Sequence, residues 1–399
     1  MLRSMSSPHP LPYGRHLVED DDIAAVVAAL KSDHIAHGPS VTAFERALAT
    51  AVGAKEAVAC SSGTAALHLA LAALDVGPGD VCLVPAMTFL ATATAARLCG
   101  AEVAFTDVDP VTGLMTVQIL AATLAREPAP KVVLPVHLGG RLCDMDALAP
   151  LARSAGAWVV EDAAHAIGGR DAQGRQVGDC AVSDAATFSF HPVKTLAAGE
   201  GGAITLNDPE RAERMRRLRN HAVSRDPHLM GEADSFDADG APNPWAYEQL
   251  ELGFNYRMNE MEAALGLSQL HKLARFVDRR TSLAARYDRL LTPLAPCVTP
   301  IRSGPGSKPG LHLYGVLVDF EATGVTRAET MRALSAKGIG AQVHYIPLYR
   351  QPYFRNRYGE MRLPGAEAYY ARILALPLYP AMADEDVDRV VDALTEAIG

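Results

Sequence analysis

The sequence predicts an α/β protein: a mostly parallel sheet covered by helices on both faces, followed by a smaller C-terminal α/β domain. From Glu56 to about Gly202, short apolar runs alternate with longer amphipathic stretches. They recur about every 25 residues, the spacing of βα units. The chain has 399 residues, more than one hydrophobic core usually holds. The residues best suited to chemistry follow the apolar runs, and such sheets bind ligands at the carboxyl ends of their strands.

The strands expected in this region are Ala57–Cys60, Val81–Val84, Val103–Thr106, Val132–Pro135, Trp158–Glu161, Ala185–Phe188 and Ala203–Leu206. Their continuous apolar character suits strands buried on both faces. Ahead of them, Asp20–Leu30 and Val41–Ala51 have helical spacing, with a loop at Asp33–Pro39 between them. After the sheet, Asp208–Asn220 reads as a helix, and Ser224–Pro244, with its Asp, Gly, Pro and Asn, as an exposed excursion. One long helix is expected from Asn259 to Leu291, bridging to the second domain. Beyond it come a loop at Pro300–Pro309, a strand at His312–Phe320, a helix at Arg327–Lys337, a strand at Gly340–Tyr345 and a closing helix at Asp384–Ile398. The division falls between a large domain, 12–255, and a bridging helix with the small domain, 256–399.

Composition narrows the function. Hydrophobic residues make up 49% and charged residues 21%, as in a soluble enzyme, and the net charge is -9. An acidic chain without basic clusters argues against nucleic acid or an anionic membrane as partner. The six cysteines have no C-x-x-C spacing and mostly sit in apolar runs, which suits free thiols in a reducing cytoplasm. Met1–Pro10 has no signal-peptide core, and no apolar run is long enough to span a bilayer. The pairs His34/His37 and His221/His228 lack an acidic or cysteine partner at ligand spacing, so no metal site is expected.

Three clusters carry candidate chemistry. Cys60-Ser61-Ser62-Gly63-Thr64 joins a strand to the helix Ala65–Leu74. A helix start offers free N–H groups and the positive dipole end to a phosphate; it is equally a plain N-capped helix. Glu161-Asp162-Ala163-Ala164-His165 ends another strand. Its Asp162 either caps the next helix or bonds a protonated pyridine nitrogen. Phe188-Ser189-Phe190-His191-Pro192-Val193-Lys194 leads to Gly199-Glu200-Gly201-Gly202. Lysines are usually solvated, but apolar and small neighbours would lower the pKa of Lys194 and supply a neutral amine for Schiff-base chemistry. With Phe89 as a stacking aromatic, the set is what pyridoxal 5'-phosphate (PLP) needs. The first βα turn is not G-x-G-x-x-G, which excludes a nicotinamide-binding fingerprint, and no cysteine has the setting a desulfurase requires.

These motifs, together with Leu252-Gly253-Phe254-Asn255-Tyr256-Arg257-Met258-Asn259, resemble the DegT/StrS-type nucleotide-sugar aminotransferases nearly end to end. The resemblance implies a fold-type-I PLP-dependent transferase with a mostly parallel seven-stranded sheet. Within the family, His191-Pro192-Val193-Lys194, Ser224-Arg225-Asp226-Pro227, Tyr247-Glu248-Gln249-Leu250 and Gly340-Ala341-Gln342-Val343-His344-Tyr345 look most like the pseudaminic acid pathway enzymes. That implies transfer of an amino group from L-glutamate to C4 of a nucleotide-linked 4-keto-6-deoxy sugar, first of all UDP-4-keto-6-deoxy-L-AltNAc. Alternatives are another UDP- or dTDP-keto sugar, aminoarabinose-like or perosamine-like, or a non-catalytic regulator that binds PLP and a sugar.

Residue by residue, the resemblance makes Lys194 catalytic. Asp162 holds the pyridine nitrogen, His165 lies beside the ring and Phe89 stacks on it. Gly63, Thr64 and Ser189 contact phosphate or substrate. Asn255 reaches the cofactor site of a neighbouring subunit, so the implied unit is a homodimer with shared active sites. Tyr13, the loop Asp33, His34, Ile35 and Ala36, and His344 and Tyr345 fall on the sugar-nucleotide side. The dehydratases of the family carry histidine in place of the lysine; Lys194 favours transamination.

Overall fold

A computed structural model describes residues 9–127 and 129–399. Most of Met1–Pro10 therefore lies outside the described residues. Seven strands form the central sheet: β1 (Glu56–Cys60), β2 (Val81–Pro85), β3 (Glu102–Thr106), β4 (Val132–Val133), β5 (Trp158–Asp162), β6 (Ala185–Ser189) and β7 (Gly202–Leu206). Their order is β1-β7-β6-β5-β4-β2-β3. β2 to β6 run parallel, and β7 lies antiparallel between β1 and β6. This is the fold-type-I architecture expected from the sequence. β5 and β7 are buried almost throughout, because helices cover both faces. The expected strand Val132–Pro135 shortens to two residues. Pro135 has no N–H to give a ladder, and pairing resumes only at the bridge Val136↔Asp162.

Other expectations need correction. The single helix Asn259–Leu291 is two helices, Glu260–Leu270 and Leu273–Leu290. Asn259 caps the first through a reciprocal bond set with Glu262. At the break, the Lys272 ammonium lies 2.5 Å from Asp21 and 2.8 Å from Asp22, filling the acidic cluster those residues make with Glu19.

Gly340–Tyr345 is not a strand. It makes one bridge, Gln342↔Ala375, after which the Gln342 side chain takes the Val343 N–H at 2.8 Å and ends the pairing. The strand expected over His312–Phe320 is Tyr314–Val318, because Asp319 caps a helical turn from Phe320. It sits centrally in an antiparallel sheet between Val298–Pro300 and Ile373–Leu376.

A second apolar core surrounds that sheet, with Tyr287 stacked on Tyr314 at 4.5 Å. Leu11 from the start of the described chain is buried in it, held by a bond to Gly338. Tyr13 follows, its carbonyl accepting from Leu378 N–H. The N-terminal segment is thereby tied to the C-terminal sheet, with Tyr13 directed at the large sheet's strand ends. Among the described residues, no helix is long and apolar enough to cross a membrane.

Candidate active site

The strand ends open on a cavity of about 520 Å³. Tyr13, Gly63, Thr64, Phe89, Asp162, His165, Ser189, Lys194, His344 and Tyr345 all line it. Residues more than three hundred positions apart meet there because β1, β5 and β6 end at the same edge of the sheet and residues 343–345 line the same cavity.

Asp162 and Glu161 are adjacent on β5, so their side chains point to opposite faces. Glu161 faces away from the cavity and accepts from His137 Nε2 at 2.7 Å and from the Ser183 hydroxyl. Asp162 faces the cavity. Its Oδ2 accepts from Thr92 Oγ1 at 2.7 Å and its Oδ1 from the Ala164 N–H at 3.2 Å. These bonds aim the carboxylate and leave acceptor capacity for a ligand N–H.

Lys194 follows β6 on a turn closed by bonds from Lys194 N–H to His191 and from Ala198 N–H to Phe190. Burial disfavours its ammonium more than the Asp162 carboxylate favours it, and its pKa falls to about 8. The neutral amine that covalent attachment to an aldehyde requires is thus reached at a lower pH than for a solvated lysine.

Ser62 caps the helix Gly63–Ala72, its Oγ accepting from the Ala65 N–H at 3.1 Å. Gly63 and Thr64 are in the first turn, where backbone N–H groups have no intrahelical partner. A Cβ on Gly63 would lie 2.7 Å from Ser189 Cβ, so glycine alone lets the helix start approach β6. The result is an anion cradle of N–H groups and hydroxyls. Phe89 is 54% exposed at the cavity edge, with Tyr345 5.9 Å away between ring centroids. A carboxylate, an amine of lowered pKa, an anion cradle and an open aromatic face are together the donor set for PLP.

His165 Nδ1 accepts the Gly139 N–H at 3.2 Å, which puts its proton on Nε2, 3.3 Å from the Tyr345 hydroxyl. Burial and the nearby Lys194 hold His165 neutral, and the same causes bring His344 down to about 3.

The cavity does not include Asp33, His34, Ile35, Ala36 or Asn255. All five are exposed. The loop is fastened at its end by Glu260, which takes the Gly38 and Ser40 N–H groups at 3.0 and 2.7 Å, and Asn255 bridges to Asn220. Sequence reasoning missed Thr92, His312, Gln342 and Gln351. Thr92 carries one legible signal, standing one helical turn after Phe89. His312 was readable only as the start of a strand.

The DegT/DnrJ/EryC1/StrS aminotransferase family matches residues 17–395. The spore coat polysaccharide biosynthesis protein SpsC of Bacillus subtilis (strain 168) is 39% identical over 98% of this chain and 97% of its own. The Helicobacter pylori structure of PseC, an aminotransferase involved in the biosynthesis of pseudaminic acid, superposes with a TM-score of 0.88 at 26% identity, covering 98% of this chain and 99% of that one. DesI, solved in the presence of its TDP-sugar product, gives 0.83 at 32% identity over 98% and 93%. The chain belongs to the DegT/DnrJ/EryC1/StrS aminotransferase family, as a PLP-dependent sugar aminotransferase.

Proposed function

We propose that this enzyme takes the amino group of L-glutamate and delivers it to C4 of a nucleotide-linked 4-keto-6-deoxy sugar, with UDP-4-keto-6-deoxy-L-AltNAc as the first candidate. The observation that carries the reading is the convergence of Lys194, Asp162 and the Gly63–Ser189 approach in one cavity. The pseudaminic acid role of PseC supports the sugar. The TDP-sugar product of DesI, at 32% identity, favours a dTDP-linked keto sugar as the second reading.

PLP supplies an electron sink for charge developing on the carbon that loses a proton. Asp162 would keep the pyridine nitrogen protonated, with Thr92 holding the carboxylate in place. Lys194 would hold the aldehyde of PLP, and its amine is placed to take the donor's α-proton as general base and return it as general acid. Ser62, Gly63, Thr64 and Ser189 would hold the phosphate. Phe89 and His165 would help to hold the cofactor ring. Tyr13, His344 and Tyr345 meet the sugar side.

We also propose a homodimer in which Asn255 and the loop Asp33–Ala36 serve the neighbouring copy's site. Their exposure, with that of Leu252, 82% exposed and three positions before Asn255, supports an intersubunit face. The division near residue 255 and a cytoplasmic setting, to which six free cysteines are suited, complete the reading. The test is spectral. After conversion by glutamate to its amine-carrying form, the enzyme is offered single UDP- and dTDP-4-keto sugars, and the expected result is return of the lysine-linked absorption band. Conversion by glutamate with no return from any keto sugar would contradict the substrate class.

A further inference from the structure

Gly139 holds two histidines at once. Its N–H donates to His165 Nδ1 at 3.2 Å, and its carbonyl accepts the His312 N–H at 3.1 Å. With φ at +68° it adopts a backbone conformation that favours glycine, and a Cβ there would meet Arg141 Nη1 at 2.8 Å. The two imidazoles end 4.6 Å apart. The buried Arg280 guanidinium fixes the far side of His312 by donating to its carbonyl at 3.2 Å.

His312 is 3% exposed and lines the cavity. Its Nδ1 is closed to solvent with no hydrogen-bond partner, and so is that of His344. Neither ring makes a side-chain hydrogen bond among the described residues. With Nδ1 shut in and no side-chain bond made by either ring, Nε2 is the nitrogen that each imidazole leaves open at the cavity wall. Tyr345 adds a directed donor. Its oxygen accepts the His165 Nε2 proton, which leaves its own proton free for a ligand.

All these groups are neutral. Lys194 is the only lysine or arginine among the described cavity-lining residues. A dicarboxylate gains little from three uncharged imidazoles and a phenol. A hydroxylated ring gains a hydrogen bond from each.

The geometry points to His312 as a specificity-determining residue that, with His344 and Tyr345, forms a neutral wall hydrogen-bonding the hydroxyl or acetamido groups of the sugar ring, with Gly139 and His165 as positioning residues. This rests on the keto-sugar reading above. The wall acts on the sugar half-reaction more than on the amino-donor half-reaction.

The test separates the two half-reactions in His312→Phe, His312→Gln and Tyr345→Phe, using whichever of UDP-4-keto-6-deoxy-L-AltNAc and dTDP-4-keto-6-deoxyglucose the wild type accepts. The lysine-linked absorption band shows each variant folded and loaded, and conversion by glutamate should fall several-fold less than discharge by the keto sugar. The half-saturating keto-sugar concentration should rise roughly tenfold or more in His312→Phe and Tyr345→Phe, as expected when one buried hydrogen bond is lost. His312→Gln, which retains a donor and an acceptor, should recover part of the loss. Equal loss in both half-reactions, or none in the sugar half, overturns the wall. If His312→Phe does not fold, Tyr345→Phe decides between the same outcomes. A wild type discharged by 2-oxoglutarate but by neither sugar overturns the keto-sugar reading and the wall with it. A wild type that takes a sugar while the variants match it overturns the wall alone.

Discussion

Thr92 donates its hydroxyl proton to Asp162 Oδ2 at 2.7 Å, across the gap between the helix after β2 and the end of β5. Thr92 is fully buried, and Thr88 Oγ1 lies 2.8 Å behind it. Hydrogen bonds to charged groups are worth about 1.5–3 kcal/mol. Thr92→Val keeps the shape and removes the donor, so it should weaken PLP affinity roughly tenfold or more in apoenzyme titrations. Wild-type affinity would show that Asp162 is held without it.

The approach of Gly63 to Ser189 makes a paired prediction. Gly63→Ala puts a methyl 2.7 Å from Ser189 Cβ, and overpacking of this kind costs about 1–3 kcal/mol. Cofactor retention on gel filtration should fall. Adding Ser189→Gly removes the opposing Cβ and should return the thermal stability of the apoenzyme toward that of wild type, a readout free of the lost Ser189 hydroxyl's effect on the phosphate. A double variant no better than Gly63→Ala would mean the loss has another origin.

Lys194 sets a pH dependence. Its pKa is lowered from 10.5 to about 8, so the neutral amine is scarce below pH 8 and dominant above. The lysine's attack on the aldehyde should therefore quicken by about tenfold per pH unit below 8 and level off above it, read as the rate at which the absorption band grows in apoenzyme. The sign for stability is the same. The unfolded lysine binds its proton up to about pH 10.4, so the cost of burying the charge is fully present below 8 and fades as pH rises through that window. A flat profile for band growth from pH 6 to 9 would contradict the lowered pKa.

Much of this was legible in the sequence because strand ends announce themselves. Apolar runs closed by Ser62-Gly63-Thr64, Asp162 and Lys194 place those residues on one sheet edge, and ten of the fifteen expected site residues meet in the cavity. What was hidden depends on long-range closure. Nothing around His312 shows that a glycine 173 positions earlier, Gly139, will hold its backbone against His165. Gly340–Tyr345 has the residues of a strand, but its pairing stops at Gln342 because a side chain replaces the next ladder partner. Asp33–Ala36 and Asn255 lie outside the cavity, and the roles proposed for them depend on a second copy of the chain.

That second copy is testable by complementation. Asn255→Ala should lower activity, and Lys194→Ala should abolish it. A mixed dimer of the two pairs one intact Lys194 with one intact Asn255 from the other chain. An equal mixture, co-refolded, should recover activity toward roughly a quarter of wild-type sites, as random pairing of a symmetric dimer gives. Activity no higher than the sum of the two variants would place Asn255 in its own chain's site or in none.

The most direct measurement follows the nitrogen itself. Enzyme loaded with PLP is treated with ¹⁵N-glutamate, freed of the amino acid, and mixed with UDP-4-keto-6-deoxy-L-AltNAc and then with dTDP-4-keto-6-deoxyglucose. Mass spectrometry reads the sugar products. One ¹⁵N-amino sugar per active site is expected with wild type and none with Lys194→Ala. Labelled enzyme that keeps its nitrogen in the presence of both sugars, yet surrenders it to 2-oxoglutarate, would contradict amino transfer to a nucleotide-linked 4-keto sugar.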